Sequence, residues 1–412
     1  MRIVLFHQYF LGQNDSGGSR WNELSSFFYN KATICTDVIA GNVHYATGKR
    51  ILPNRWCNKE AVEEGVTLYR TWTYSGYNAN FFGRILGYLS YMLSSLVMAL
   101  RLPKPDLYLV TSPSIFVGVS AIIASRIKKV PFIVEVRDLW PESAVATGVL
   151  TNRFLLKILY RLEYKLYKDA QTIVVLTPAF KENIIVRYPN FGDKIEVITN
   201  GADFSIMDKP HHAEQIRQKH QWSDKKLFTY LGAHGVANDL MQVVEVAYTL
   251  RGNLKIHFVL IGDGMQKKAL QEQAKRYALT NLEFIDSVPK HEVADYIYAS
   301  DICMAILKKT DTFKTVYPNK VFDYMSCKKP VLVTIDGITR TLVEEANCGL
   351  YAPPEDVEAF KRAVEKMLQT SKEELKSLGE NGYRHVKVHF DRDKLAEKYI
   401  TIITKNPASN GS

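Results

Sequence analysis

Residues 226–235, Lys-Leu-Phe-Thr-Tyr-Leu-Gly-Ala-His-Gly, and residues 255–264, Lys-Ile-His-Phe-Val-Leu-Ile-Gly-Asp-Gly, share one pattern: a near-continuous apolar run that ends in a glycine loop. A strand buried on both faces reads this way, whereas a half-exposed strand alternates apolar and polar residues. Helix-like sequence follows, as in MQKKALQEQAKRYAL (265–279). The combination predicts a parallel sheet covered by helices on both faces.

The pattern repeats outward from these runs. LEFIDSVP (282–289), DICMAIL (301–307) and KPVLVTIDG (329–337) extend it in the second half. RIVLF (2–6), DLYLVTS (106–112), VPFIVEVRDLW (130–140) and AQTIVVLTP (170–178) supply it in the first. Two α/β domains in tandem follow, and a chain of 412 residues is long enough to give each its own core. The junction is expected between Pro189 and Pro210, where YPNFGDK and NGADFSIMDKPHH carry turn-forming residues. Beyond the last strand, VEAFKRAVEKMLQ, EELKSLGENGYRHV and DRDKLAEKYITII read as helices.

Composition bounds the function. With 46% hydrophobic and 23% charged residues the chain is neither disordered nor collagen-like, and a net charge of +10 favours anionic partners. Five cysteines without a C-x-x-C pair argue against a disulfide framework or a zinc site and for a reducing compartment. MRIVLFHQYF reads as a first strand and not as a signal peptide, so a cytoplasmic location is expected. His7, His44, His211-His212, His234 and His257 are read as standing in no H-x-x-x-H or H-x-E spacing, and no D-x-D couple sits at a strand end, so no metal is expected. Nucleic-acid-binding signatures are absent.

Open α/β sheets bind ligands beyond the carboxyl ends of their strands, where glycine loops and helix N-termini expose backbone N–H groups. Three loops fall at such places. Asp15-Ser16-Gly17-Gly18-Ser19-Arg20 follows the first strand, with Arg20 a further donor; it is a ligand loop or an ordinary turn. Gly232-Ala233-His234-Gly235 and Gly262-Asp263-Gly264 close the runs quoted above, and neither completes the G-x-G-x-x-G of a dinucleotide site, which disfavours NAD.

Charged residues gather in two further places. Glu135, Arg137, Asp138 and Glu142 cluster around EVRDLWPES, at an edge expected to face a cleft between the domains, where a carboxylate orients a hydroxyl and an arginine holds an anion, or where two of them pair with each other. In Lys308–Pro330, Tyr317-Pro318-Asn319-Lys320 breaks structure and opens a short helix, so that Lys320 and the helix N-terminus meet a phosphate and Asp323 a ribose, unless the segment is a solvated basic loop.

Two helical stretches bear on membranes. Ile85–Leu100 is uncharged, but its 16 residues would span about 24 Å against a hydrocarbon core of about 30 Å, so it reads as a buried or partly interfacial helix. Arg153, Lys157, Arg161 and Lys165 recur at four-residue steps among Phe154, Tyr160, Tyr164 and Tyr167, a face suited to an anionic membrane or simply to solvent.

Nearly end to end, the chain resembles the retaining glycosyltransferases of family four, which have the GT-B fold. The markers run in the family's order: SGGSR (16–20), VRDLWPES (136–143), VVLTP (174–178), VITNGAD (197–203), YLGAHGVANDL (230–240), LIGDG (260–264), FIDSVPKHEVADYIYASDI (284–302), YPNKVFDYMSCKKPV (317–331) and EEANCGLYAPPEDVEAF (344–360). DLWPES together with PNK-x-FDY is most similar to a bacterial polysaccharide branch that includes N-acetyl-L-fucosamine transferases, whose members add N-acetylated amino sugars to lipid-linked glycans.

The resemblance implies two Rossmann-like domains facing each other across a cleft. Residues 1–195 form an acceptor domain, completed by a terminal helix at about 388–405, and 196–387 form the nucleotide-sugar domain. It places Gly17 and Gly18 against the donor diphosphate or the acceptor. Gly232 to Asn238, with His234, lies under the diphosphate, Gly262 to Gly264 and Ser287 with Val288 near the base, and Asn319 with Lys320 at the phosphates. Asp323 takes the ribose-binding second position of the family's Glu-x7-Glu motif. Asp138 lies in the catalytic cleft, and Arg20, Arg137 and Glu142 on the acceptor side.

Three positions depart from the family: Thr315 stands for the first glutamate of the motif, and Ala233 and Asn238 replace the usual Arg and Lys of the diphosphate loop. Charge on the leaving group then falls to Lys320, helix N-termini and His234. The activity implied is metal-independent transfer, with retention, from a UDP-sugar to a polyprenyl-diphosphate-linked saccharide for O-antigen or capsule. It needs no cofactor and takes place at the cytoplasmic face of the inner membrane. A GT-B UDP-sugar 2-epimerase or a non-catalytic sugar-nucleotide-binding scaffold are the alternatives.

Overall fold

The computed structural model describes residues 1–10, 20–44, 48–53, 55–76, 81–112, 115–146, 150, 152–204 and 211–405. The chain divides into two compact units, Met1–Thr199 with Asp393–Ser412, and Asn200–Arg392. The division falls a few residues beyond the 195/196 and 387/388 boundaries expected from sequence.

The sheet of the first unit contains β1 (Arg2–Phe6), β2 (Cys35–Gly41), β3 (Cys57–Glu63), β4 (Val66–Thr71), β5 (Leu107–Thr111), β6 (Phe132–Val136), β7 (Thr172–Val175) and β8 (Ile195–Val197). Their order is β3-β4-β2-β1-β5-β6-β7-β8, parallel throughout except for the antiparallel edge strand β3. Because β2 and β5 flank β1, the chain changes direction across the sheet between β1 and β5, and a crevice opens at their carboxyl ends. The terminal helix Arg392–Thr404 buries Tyr399 and Ile403 in this unit's core. The Tyr399 ring meets those of Trp21 at 5.6 Å and Phe28 at 5.7 Å.

The second unit holds β9 (Lys226–Leu231), β10 (Ile256–Ile261), β11 (Leu282–Ile285), β12 (Ile302–Ile306), β13 (Val331–Thr334) and β14 (Gly349–Tyr351), all parallel, in the order β11-β10-β9-β12-β13-β14. Its reversal point lies between β9 and β12. Apolar side chains cover both faces, with Phe228, Tyr230, Phe258 and Met304 on one and Leu231, Val259, Cys303 and Val333 on the other.

The apolar helix is longer than the sequence indicated: it runs Phe81–Arg101, because Arg84 is tolerated in its first turn. By length and composition alone Gly83–Arg101 is long and apolar enough to cross a membrane. In the fold it packs on the helix Ile115–Lys128 and on β2, with Tyr91 buried and its hydroxyl donating to Ile39 O at 2.7 Å, which are the contacts of a core helix. Leu86 and Leu93 remain exposed.

Candidate active site

At the reversal point of the second sheet, β9 and β10 end in the two glycine loops, which are stitched together. His234 N–H donates to Asp263 O at 2.8 Å, Gln266 N–H to His234 O at 2.9 Å, and Gly232 N–H to Ile261 O at 2.9 Å. Gly262, at φ +143°, passes so near that a Cβ there would lie 1.9 Å from Gly232 O, so no other residue fits. Lys267, buried on the following helix, donates to Gly262 O at 2.8 Å and pairs with Asp286, holding the second loop from beneath.

Over this base sits the segment after β12. Pro318 precedes the helix Asn319–Ser326, whose side chains Val321, Phe322, Tyr324 and Met325 are buried. The Tyr324 hydroxyl accepts from Leu231 N–H at 3.0 Å, tying this helix to the end of β9. Its first turn places Lys320 Nζ 3.6 Å from the centre of the Tyr230 ring and 2.7 Å from where a Cβ of Gly232 would stand. Tyr230 donates its hydroxyl to Ala233 O at 2.9 Å, which fixes the ring beneath the ammonium. Burial pushes the Lys320 amine down to about 7, against the opposing pull of Asp323. The arrangement offers an anion one cation, a helix N-terminus and a loop free of side-chain bulk.

At the reversal point of the first sheet, His7 follows β1 and its Nδ1 lies 2.6 Å from Thr111 Oγ1 at the end of β5. Ser112 Oγ accepts from Arg137 N–H at 2.9 Å beyond β6, and Asp138 accepts from Ser143 Oγ at 2.9 Å. Burial raises the Asp138 carboxyl, partly offset by that hydrogen bond and one from the backbone of Leu139. Burial, reinforced by the Arg137 charge, lowers His7 well below the usual histidine value, so the ring is neutral.

Two family models cover most of the chain, "Glycosyl transferase 4-like domain" over residues 37–201 and "Glycosyl transferases group 1" over residues 212–385. The chain belongs to the GT-B glycosyltransferases. This glycosyltransferase is similar in fold to sucrose-phosphate synthase from Thermosynechococcus elongatus (TM-score 0.72, 13% identity, 99% of this chain and 100% of that one). HepE of Anabaena in complex with UDP-glucose matches at TM-score 0.72 and 14% identity over 98% of this chain and 100% of that one. WaaG, a glycosyltransferase involved in lipopolysaccharide biosynthesis, matches at TM-score 0.70 and 14% identity over 98% and 100%. No curated protein matches the sequence.

Set against the sequence reading, the glycosyltransferase gathers Gly232, His234, Gly262, Gly264, Asn319 and Lys320 at one sheet end. Asn238 ends a short 3-10 turn on the same loop and is half-buried. Thr315 turns its hydroxyl to Thr312 O at 2.7 Å in the turn before Pro318. Asp323 lies one helical turn from Lys320, and Val288 packs against the second core. Gly17 and Gly18 lie outside the described residues.

Several expectations need correction. His234 adds no positive charge for a leaving group, because burial, with Lys267 and Lys320 nearby, lowers it to about 4; its ring nitrogens are buried without hydrogen-bond partners. Arg20 is engaged internally: it pairs with buried Glu135 at 3.0 Å and donates to Thr199 O and Ile198 O, while Trp21 Nε1 gives Glu135 a further hydrogen bond. Glu142 is likewise engaged inside the unit, pairing with Arg187. Arg137 remains half-buried beside the His7 crevice. An H-x-x-x-H spacing does exist at His385 and His389, with rings 4.8 Å apart, and H-x-E at His212 and Glu214. Among the described residues, however, no three His, Cys, Asp or Glu side chains gather so as to hold a metal ion.

Tyr230, Lys267 and His7 were not singled out from the sequence as site residues. His7 had a readable signal, a polar residue closing an apolar strand. Nothing local distinguishes buried Lys267 from its exposed neighbour Lys268.

Proposed function

We propose that the protein is a retaining, metal-independent glycosyltransferase that moves a sugar from a UDP-sugar, in particular an N-acetylated amino sugar, to a polyprenyl-diphosphate-linked saccharide. The observation that carries this is Lys320: a cation held against Gly232 at the first turn of a helix, where the diphosphate of a donor would gain charge as the sugar leaves. Preorganised charge aimed at a leaving group is worth several kcal/mol of transition-state stabilisation, about 2.7–4 for a single donor. The donor class is supported by HepE, which binds UDP-glucose, and the polysaccharide context by WaaG.

Asp138 serves the acceptor hydroxyl, orienting it while the departing diphosphate takes its proton. The outward face of the helix Arg153–Asp169 supports work at an anionic bilayer on the cytoplasmic side. It turns Arg153, Phe154, Lys157, Ile158, Arg161 and Tyr164 to solvent, and no exposed carboxylate interrupts that set. An epimerase acting on free UDP-sugars would have no use for such a face.

The test is UDP release and product analysis with a panel of UDP-sugars and a polyprenyl-diphosphate-linked saccharide. One donor should be used, the product should keep the anomeric configuration, and chelator should leave the rate unchanged. Lys320→Ala should lower kcat at least 100-fold with the melting temperature retained; wild-type turnover in that variant would remove Lys320 from the mechanism.

A further inference from the structure

The segment carrying Asp138 continues into a helix of five residues, Glu142–Ala146, too short to hold its own place. Its internal bonds are local, from Ser143 N–H to Leu139 O at 2.8 Å and from Val145 N–H to Pro141 O at 3.1 Å. Trp140 ahead of it meets the Phe116 ring at 6.2 Å and Tyr160 hydrogen-bonds Glu142, and the charged tie to the body of the unit comes from an arginine 45 positions beyond Glu142. Arg187 ends the helix Pro178–Arg187 and reaches three partners. Nη1 donates to both oxygens of Glu163 at 3.1 and 2.8 Å, Nη2 donates to Asn183 Oδ1 at 2.8 Å, and Nη2 also pairs with Glu142. The guanidinium lies over the rings of Tyr160 (5.3 Å) and Tyr188 (5.7 Å), which fix its plane.

Glu163 is the other half of the device. It is 1% exposed and also accepts from the Tyr188 hydroxyl at 2.9 Å. With Asp138, Ser112, Trp140 and Tyr167 it lines a cavity of about 20 Å³, so the two acidic residues border one small space. One guanidinium therefore sets both Glu142, adjacent to the Ser143 that hydrogen-bonds Asp138, and Glu163, which lines the same cavity as Asp138.

We propose that Arg187 is a positioning residue for Asp138, holding the Asp138–Ala146 segment through its fork to Glu142 and Glu163. The proposal rests on the reading of Asp138 as the residue that meets the acceptor. A planar fork is required because three acceptors must be met in fixed directions, which an ammonium cannot do.

Two measurements decide it. In hydrogen-exchange mass spectrometry on the full chain, Arg187→Lys and Glu142→Gln should each speed exchange in peptides covering residues 137–146 while peptides covering β9 and β10 stay unchanged. Unchanged exchange in residues 137–146 would overturn the proposal without any substrate being needed. Glu142→Gln, a near-isosteric change at a partly exposed residue, is the second variant should Arg187→Lys fail to fold.

In turnover with the UDP-sugar that the panel selects and the polyprenyl-diphosphate-linked saccharide, Arg187→Lys should lower kcat at least tenfold with the UDP dissociation constant unchanged. In an Asp138→Asn background the same substitution should cost nothing further, since the group it positions is already gone. A merely structural role would lower kcat by the same factor in both backgrounds, and that result would also overturn the proposal. If Asp138→Asn itself keeps full turnover, the reading of Asp138 falls and this inference with it; if only Asp138→Asn is impaired, the inference alone falls.

Discussion

Lys320 owes its place to a contradiction between two demands on a side chain. A diphosphate needs a cation, but the fold keeps that cation half-buried over the Tyr230 ring, so its neutral form is favoured. The folded pKa, about 7, lies below the ordinary 10.5, so between these values the unfolded chain binds more protons and stability rises with pH. Below pH 7 the cost of the buried cation is fully present. Lys320→Met should therefore raise the melting temperature at pH 6 to 7, with the gain fading toward pH 10. A bound diphosphate reverses the preference. At pH 8, UDP binding should take up close to one proton, read by titration calorimetry in two buffers of different ionisation enthalpy, and Lys320→Met should abolish that uptake. The residue was legible in Tyr317-Pro318-Asn319-Lys320, because proline followed by a helix start is a local signal. Its aromatic support was not, since Tyr230 lies 90 positions away.

At the scale of elements, the helix Arg153–Asp169 shows how one segment serves two surfaces. Its inward face buries Leu159, Glu163, Leu166 and Tyr167, and its outward face carries the basic and aromatic residues. Asn152 starts it, accepting from Phe154 and Leu155 N–H at 3.0 Å each. Asn152→Ala should cost about 1 kcal/mol in urea unfolding. The triple variant Arg153→Gln, Lys157→Gln, Arg161→Gln should lose flotation with phosphatidylglycerol vesicles while retaining its melting temperature; undiminished flotation would assign the face to solvent. The four-residue spacing was legible in the sequence, and the burial of Glu163 was not. β1, β5 to β7 and β9 to β13 could likewise be read from their apolar runs. The edge strand β3, with CNKEAVE alternating toward solvent, and the short β8 and β14 carried too little apolar sequence to announce themselves.

At the scale of the whole molecule, the two units have separate cores, and a ligand recognised by one should report on that one. In scanning calorimetry UDP at about 100 times its dissociation constant should stabilise the unit Asn200–Arg392 by about 2.7 kcal/mol, shifting its transition upward and leaving the other in place. NAD should shift neither.

By itself the sequence determined two α/β units, the glycine loops at their strand ends and the lysine at a helix start, because apolar runs and turn chemistry act over a few residues. Only the tertiary structure decided the order of the strands, and with it the reversal points beside β1 and β9 and the stitching of the loops after β9 and β10. It also decided that Arg20 answers buried Glu135, 115 positions away, and that Arg187 joins Glu142 to Glu163. The physical reason is burial: a charged side chain taken out of water must be paired, and its partner is whichever charge the packed strands and helices bring beside it.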